Sequence, residues 1–172
     1  MRWCSISAAV VMVAMNYSVS ADNSCNAAEG VLTPQQIGFC WAQEDNAGAK
    51  GITVGMSADP EPVYLYAITF ELNSAELTPT ARAQLDNVAV AMNFPQYANR
   101  SVGLEGHTDA SGSDSHNLAL SQERASAVHD YLVGEHAIAP ERMSATGYGE
   151  TRPIPGLDPY ADEQRRVGVK LE

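Results

Sequence analysis

The feature that most constrains the fold is an alternation of short strand-like segments with two long helical segments after residue 62. In the first strand-like segment, residues 63–71, large apolar side chains occupy alternate positions: Tyr64, Tyr66, Ile68 and Phe70. Alternation with a period of two predicts a half-buried β-strand. Three further strands are predicted, at residues 101–105, 143–149 and 167–171.

The first helical segment begins at Thr78, a residue type favoured at the N-cap, and continues with Pro79, which is favoured at the first helical position. An apolar stripe at helical spacing follows, formed by Ala81, Leu85, Val88 and Met92. Residues 93–95 are expected to end the helix. The segment is therefore predicted to pack one face against the sheet.

A second helix is predicted over residues 117–133, with Gly134 as its left-handed C-terminal cap. Its expected buried stripe consists of Leu118, Ala125, Val128 and Leu132. The order of elements predicts an α+β fold, a two-layer βαβαβ(α)β sandwich. In this architecture the helices pack on one face of a mixed four-stranded sheet.

The charge of the chain limits its partners. It carries 21 acidic and 10 basic residues, for a formal net charge of −11. Nucleic acids are bound by basic surfaces, so a DNA or RNA partner is not expected. With 45% hydrophobic residues and no low-complexity tract or repeat, the chain is expected to fold as a compact globular domain.

Residues 1–21 have the pattern of a secretory signal peptide, in which Arg2 precedes an apolar run at 8–15. Small residues follow, so cleavage is predicted before Asp22. The alternative is an uncleaved anchor helix. A bilayer span needs about 20 mostly apolar residues, and the polar residues at 16, 18 and 20 interrupt this one.

Cleavage at this point would leave Cys25 and Cys40 in an exported chain. Two cysteines in an oxidising compartment predict one disulfide, which would stabilise the fold by roughly 3 kcal/mol. Two free thiols are the alternative if the chain is not exported. No lipobox precedes Cys25, which argues against a lipid anchor there.

The domain organisation follows from these patterns. Residues 22–61 carry weak periodicity and many glycines and prolines, and they are predicted to form a small disulfide-linked N-terminal segment and linker. Residues 62–172 form the predicted domain. Trp41 and Phe39 are expected to pack beside Cys40, with an exposed interaction patch as the alternative.

Several motifs, taken in order, identify a family. They are residues 70–77 (Phe-Glu-Leu-Asn-Ser-Ala-Glu-Leu), 105–109 (Glu-Gly-His-Thr-Asp), 117–125 (Asn-Leu-Ala-Leu-Ser-Gln-Glu-Arg-Ala), 147–150 (Gly-Tyr-Gly-Glu) and 165–167 (Arg-Arg-Val). In sequence and spacing, residues 63–172 resemble the OmpA-like C-terminal domain. One departure is Gln164, which stands where the family commonly has Asn before the paired arginines.

The resemblance implies a non-enzymatic domain that binds peptidoglycan noncovalently through the diaminopimelate of the stem peptide. It assigns this binding to Asp109 and Arg124. Thr108 and Asn117 are expected to add neutral hydrogen bonds, and Asn73 to form the rim of the pocket. Together with the signal peptide, the resemblance implies a periplasmic location, with association with the outer membrane as a further expectation.

The residue types suit that ligand. The free end of diaminopimelate carries one ammonium and one carboxylate, so Asp109 can accept from the ammonium while Arg124 forms a planar fork on the carboxylate. Asn117, Ser121 and Arg124 have the spacing of one helical face and are expected to point toward the loop that holds Asp109. The structural alternative is that Asp109 and Arg124 simply form a salt bridge with each other.

Other chemistries are less well supported. His107, Asp109 and His116 lack the spacing of a zinc site, so no metal or other cofactor is expected. No Gly-x-Ser-x-Gly motif is present, which argues against a serine hydrolase. Two alternatives to a simple binding module stay open. One is a peptidoglycan hydrolase, and the other is an interaction protein in which residues 22–61 bind an envelope partner.

Overall fold

The computed structural model describes residues 31–47 and 68–172. The predicted signal peptide at 1–21, Cys25 and the first part of the predicted first strand lie outside the described residues. Signal cleavage and the pairing of Cys25 with Cys40 therefore stay predictions.

A mixed four-stranded sheet forms one layer of the described fold. Its strands are β1 (Ile68–Thr69), β2 (Val102–Gly106), β3 (Met143–Gly147) and β4 (Arg166–Leu171), in the spatial order β1-β4-β2-β3. β2 pairs in parallel with β3, whereas β4 is antiparallel to both β1 and β2. The predicted α+β sandwich is confirmed, and β2 lies between two strands.

The helix α2 (Pro79–Met92) begins and packs as predicted. The Thr78 hydroxyl accepts a hydrogen bond from the Ala81 amide at 3.1 Å and so caps the first turn. The predicted stripe of Ala81, Leu85, Val88 and Met92 is entirely buried. Local capping signals and periodicity were sufficient to predict this helix, because its buried face is apolar except for Gln84.

The helix α3 (Asp114–His136) is longer than predicted at both ends. Ser113 caps its start, and Ala137 provides the left-handed residue after its end, with φ of 51°. The prediction that Gly134 is this cap was wrong, because the helix continues through it. None of the helices described is long and apolar enough to span a bilayer.

The predicted buried stripe of α3 was wrong at Leu118, which is 54% exposed. The buried face of this half of α3 is instead formed by four residues at helical spacing: Asn117, Leu120, Ser121 and Arg124. The N-terminal half of α3 therefore buries mostly polar side chains. Hydrophobicity alone could not predict this phase, because the leucine at 118 faces solvent.

Two glycines allow α3 to lie directly on the sheet. A Cβ atom added at Gly106 would overlap the carbonyl oxygen of Ser121, and one added at Gly147 would overlap the backbone of Gln122. The close approach brings the polar half of α3 beside the C-terminal ends of β2 and β3. This arrangement creates the site described below.

The helix α1 (Pro34–Ala47) packs against α2 and contributes to the same hydrophobic core as the sheet. Trp41 is fully buried and meets Tyr97 edge to face at 5.2 Å, while the Tyr97 hydroxyl donates to the Gly38 carbonyl at 2.6 Å. The Leu32 amide donates to the Gln84 side chain at 2.6 Å. The expectation that Trp41 is packed inside the protein is confirmed.

Candidate functional site

A small cavity of about 40 Å³ lies where the loop after β1, the loop after β2 and the N-terminal half of α3 meet. The structure brings all five predicted ligand-binding residues to its wall: Asn73, Thr108, Asp109, Asn117 and Arg124. Arg165, which sequence reasoning did not assign to the site, lines it as well.

Thr108 and Asp109 reach the cavity because β2 ends at Gly106 and the chain then turns across the end of the sheet. The Thr108 amide donates to the Gly149 carbonyl at 3.0 Å, which fixes the turn against the loop after β3. The Thr108 hydroxyl is buried and has no hydrogen-bond partner among the described residues. A buried hydroxyl without a partner is costly, so it is well suited to a ligand atom.

The Asp109 carboxylate is 4% exposed and is held on two sides. One oxygen accepts from the Ser111 amide at 2.9 Å, and the other accepts from the Arg165 guanidinium at 3.2 Å. Burial acts to raise the pKa of Asp109, but the hydrogen bonds from Ser111 and Arg165 outweigh it and the pKa is lowered overall. Asp109 is therefore charged at neutral pH.

Arg165 joins the site through the order of the strands. It stands directly before β4, which lies next to β2, so its guanidinium meets the residues that follow β2. It pairs with Asp162 at 2.6 Å as well as with Asp109, and its Nε donates to the Phe70 carbonyl at 3.2 Å. Arg165 belonged to a recognised motif, but no spacing in the sequence links residue 165 to residue 109.

The Arg124 side chain is fully buried and points its guanidinium at backbone carbonyl groups. It donates to Ser74 at 2.8 Å, to His107 at 3.0 Å and to Glu71 at 3.1 Å. The guanidinium also lies over the Phe70 ring, 5.2 Å from the ring centre. Arg124 thus connects α3 to the loops after β1 and β2.

Burial lowers the pKa of Arg124 to about 10, with a further lowering by Arg165 and a smaller raising by Asp109. Arg124 is still charged at neutral pH. Among the described residues, no carboxylate forms an ion pair with it, because Asp109 pairs with Arg165. The simple salt bridge between Asp109 and Arg124, the structural alternative above, is not formed.

The rim of the cavity is closed by a contact between the loop after β1 and the first turn of α3. A ring nitrogen of His116, Nε2, lies 2.8 Å from the amide oxygen of Asn73. Asn73 itself adopts a left-handed backbone conformation with φ of 53°, which asparagine tolerates better than most residues. Leu72, beside it, is 67% exposed and lines the mouth of the cavity.

Ser121, expected on the same helical face as Asn117 and Arg124, is turned away from the cavity. Its hydroxyl donates to the Leu118 carbonyl and accepts from the Gly149 amide, each at 2.8 Å. It therefore connects α3 to the loop after β3. The Asn117 amide group does face the site and donates to the Asp109 carbonyl at 3.4 Å.

Gln164, which departs from the family pattern, forms hydrogen bonds through both the oxygen and the nitrogen of its side-chain amide. This buried side chain accepts from the Ile154 amide at 2.9 Å and donates to the Asp158 carbonyl at 3.2 Å. It thereby holds the loop at 154–160. That loop supports the site, because the Pro159 carbonyl accepts from the Ala110 amide at 2.9 Å.

His107 lies behind the cavity and does not line it. Its ring is buried and stacks on Tyr148 at 5.8 Å. Burial, followed by the charges of Arg166 and Arg152, lowers the pKa of His107 to about 3, so the imidazole is neutral at physiological pH. Within the described ranges, no three His, Cys, Asp or Glu side chains are placed to hold a metal ion.

Comparison with known proteins identifies the class of this fold and site. The model of the OmpA family matches residues 69–166, more than half of the chain. The chain therefore belongs to the OmpA family. The family resemblance of the motifs is confirmed.

Two relatives illustrate how much of each chain is aligned with this one. Outer membrane porin F from Pseudomonas aeruginosa is 36% identical over 105 residues, which are 61% of this chain but 29% of that protein. The peptidoglycan-associated lipoprotein of Pseudomonas putida is 32% identical over 157 residues, 90% of this chain and 87% of that protein. The chain thus spans about three-tenths of the porin and most of the lipoprotein.

Solved structures have the same fold. The peptidoglycan-associated lipoprotein from Burkholderia pseudomallei superimposes with a TM-score of 0.55 at 26% identity, over 61% of this chain and 88% of that one. The OmpA-like domain of FopA1 from Francisella tularensis has the same TM-score of 0.55 at 20% identity, over 61% and 71% of the two chains.

Proposed function

We propose that this protein binds peptidoglycan noncovalently through the diaminopimelate of the stem peptide, and so tethers itself or a bound partner to the cell wall. The relative that this chain matches over 90% of its length is named a peptidoglycan-associated lipoprotein. The OmpA-family fold supports a role in the cell envelope rather than in catalysis. Binding through one amino-acid end of the ligand requires no chemical step.

One observation carries the proposal. The cavity holds a charged carboxylate and a buried guanidinium, Asp109 and Arg124, that are not paired with each other. A zwitterion satisfies both, with its ammonium at Asp109 and its carboxylate at Arg124. The Thr108 hydroxyl, which lacks a partner among the described residues, and the Asn117 amide can complete the contacts.

The size of the cavity fits the same ligand. About 40 Å³ is enough for a few groups the size of a water molecule, since one such group needs roughly 10–15 Å³. The cavity therefore admits the ammonium and carboxylate of an amino acid, but not a sugar ring. The glycan strand would remain outside, beyond the rim formed by Asn73 and His116.

A sedimentation assay on purified sacculi tests the proposal. Wild-type protein is expected to sediment with the sacculi, and Asp109→Asn and Arg124→Lys to remain in solution. Matched controls are Asp130→Asn and Arg82→Lys, which make the same chemical changes at exposed positions of α3 and α2 and should sediment like wild type. Sedimentation of both site variants at the wild-type level would contradict the site.

The same incubation tests the enzymatic alternative, because a hydrolase would release soluble muropeptides. No release is expected. Residues 22–61 are proposed to be the part available to an envelope partner, although α1 within them packs on the domain. The partner hypothesis is tested by comparing proteins that co-purify from envelopes with the full chain and with a chain altered at exposed positions of that segment.

The proposal includes a periplasmic location, signal cleavage before Asp22 and a disulfide between Cys25 and Cys40. The mass of the exported protein checks both processing steps. Cleavage removes residues 1–21, and the disulfide lowers the mass by two hydrogens and protects both thiols from alkylation. A full-length N-terminus would instead support the uncleaved anchor.

A further inference from the structure

The outer edge of the sheet at β3 lies far from the proposed ligand contacts of Asp109 along the strand order, and among the described strands β3 pairs only with β2. We infer that α3 closes this edge with two side chains, Ser121 and Gln122. The closure prevents the sheet from adding an extended strand of a second copy of this chain.

The strand β3 has little protection of its own. A strand at the edge of a sheet presents amide and carbonyl groups that can pair with a strand of another chain, and proteins commonly block such edges with charged residues or proline. The sequence of β3, Met-Ser-Ala-Thr-Gly, contains neither. Its Ser144 and Thr146 side chains are exposed, and threonine is favoured in strands. Protection of this edge must therefore come from another element.

The Gln122 side chain supplies that protection by binding two backbone groups of β3. Its amide nitrogen donates to the Ala145 carbonyl at 3.2 Å, and its amide oxygen accepts from the Gly147 amide at 2.9 Å. A side-chain amide offers the same kinds of donor and acceptor as a peptide group. Gln122 therefore takes the place of a neighbouring strand at the positions where a strand from another chain would pair.

Two features of the same region extend and support this closure. The Ser121 hydroxyl accepts from the Gly149 amide at 2.8 Å, just beyond the end of β3. Residue 147 is a glycine, and a Cβ atom added there would overlap the backbone of Gln122. The absence of a side chain at this position allows α3 to lie close enough for Gln122 to reach the edge of the strand.

Sedimentation velocity of the mature protein tests the inference. Gln122→Ala removes both contacts with β3 without changing the charge of the chain. This variant should self-associate at least about tenfold more strongly than wild type, the factor that corresponds to about one hydrogen bond made available to a second copy. Gln35→Ala is the matched control, because it makes the same change at an exposed position of α1 and should sediment like wild type.

Two sedimentation results would overturn the inference. One is an identical profile for Gln122→Ala and wild type over the whole concentration range. The other is equal self-association of Gln35→Ala, since the association would then not depend on the edge of β3. Thermal melts and the exchange of the Leu104 amide, in the strand paired on both sides, verify that Gln122→Ala remains folded.

Hydrogen exchange of the Gly147 amide, followed by nuclear magnetic resonance, shows whether the association uses this edge. In dilute Gln122→Ala this amide should exchange about five to ten times faster than in wild type, because it has lost its acceptor. At concentrations where the variant associates, the amide should become protected again by the added strand. Association without renewed protection of Gly147 would place the contact elsewhere and overturn strand addition at β3.

Discussion

At the scale of single residues, Arg124 has two roles that the sequence alone could not separate. It faces the cavity, and it also donates to three backbone carbonyls in the loops after β1 and β2. A residue chosen only to bind a carboxylate would not need to be fully buried. The site is therefore built around a side chain that also stabilises the loops forming its walls.

Replacing Arg124 should consequently affect stability as well as binding. Arg124→Ala is expected to lower the free energy of unfolding by about 3 kcal/mol, because three backbone carbonyls lose a charged donor that is itself fully buried. Urea denaturation measures the change. Arg82→Ala removes an exposed arginine from α2 that has one backbone contact, at Leu77, and lies over the Tyr131 ring, and it should lower stability by no more than about 1 kcal/mol. Equal stability of the two variants would contradict the anchoring role.

His107 predicts a pH dependence of stability. Its folded pKa of about 3 lies below the usual 6.5, so the unfolded chain binds a proton between these values while the folded protein does not. The contribution of the neutral, buried His107 to the free energy of unfolding is complete above pH 6.5 and is lost as the pH falls toward 3. Between pH 7 and pH 5 this loss amounts to about 2 kcal/mol.

Denaturation of wild type and His107→Gln at pH 7 and pH 5 isolates this term, since the other titrating groups are common to both proteins. The wild-type protein should lose about 2 kcal/mol more than the variant over this interval. The same loss in both proteins would mean that His107 titrates normally in the folded state.

At the scale of secondary-structure elements, the contact between α3 and the sheet positions the site. The backbones approach closely at Gly106, where a side chain would overlap α3. Any shift of α3 would move Asn117 and Arg124 relative to Asp109, so the precision of the site depends on this glycine. The glycine for comparison is Gly134, which lies within α3. A Cβ atom added there would have no atom within 4 Å.

These two glycines give opposite predictions for the same substitution. Gly106→Ala should destabilise the protein by about 1–3 kcal/mol and weaken ligand binding, because overpacking displaces α3. Gly134→Ala should stabilise it by about 0.5–1 kcal/mol, because alanine favours a helix interior. Thermal and urea unfolding test both. Similar effects at the two positions would refute the close-contact explanation.

The helix α1 makes a second prediction at this scale. Trp41→Ala should lower the free energy of unfolding by about 3–5 kcal/mol, because it empties a fully buried site against Tyr97. Val31→Ala is a suitable control, since Val31 is 39% exposed in the same segment. A negligible effect of the tryptophan substitution would mean that α1 is not part of the stable core in solution.

At the scale of the whole molecule, the sandwich could be predicted from the sequence because each helix and strand is marked by residues within or beside it. Thr78 and Pro79 mark a helix start, and Val102 and Leu104 alternate in β2. Contacts between distant residues were not predictable in this way. Gly38 meets Tyr97, and Arg165 meets Asp109, only after the strands and helices have been arranged in three dimensions.

The shared core leads to a prediction about cooperativity. Trp41 belongs to the same hydrophobic cluster as the strands of the sheet, and the other tryptophan, Trp3, lies in the predicted signal peptide. Tryptophan fluorescence of the mature chain should therefore report the same urea midpoint as far-ultraviolet circular dichroism. Fluorescence changing at lower urea would reveal that α1 detaches before the domain unfolds.

Under the proposed function, the position of β2 between β3 and β4 has a mechanical consequence. A pulling force on a ligand held by Asp109 reaches the sheet through β2, only a few residues away in the chain. Since β2 is hydrogen-bonded along both edges, withdrawing it requires two rows of bonds to slide at once. The load thus enters at a strand that is paired on both sides, so the ligand is expected to dissociate before the strand is extracted from the sheet.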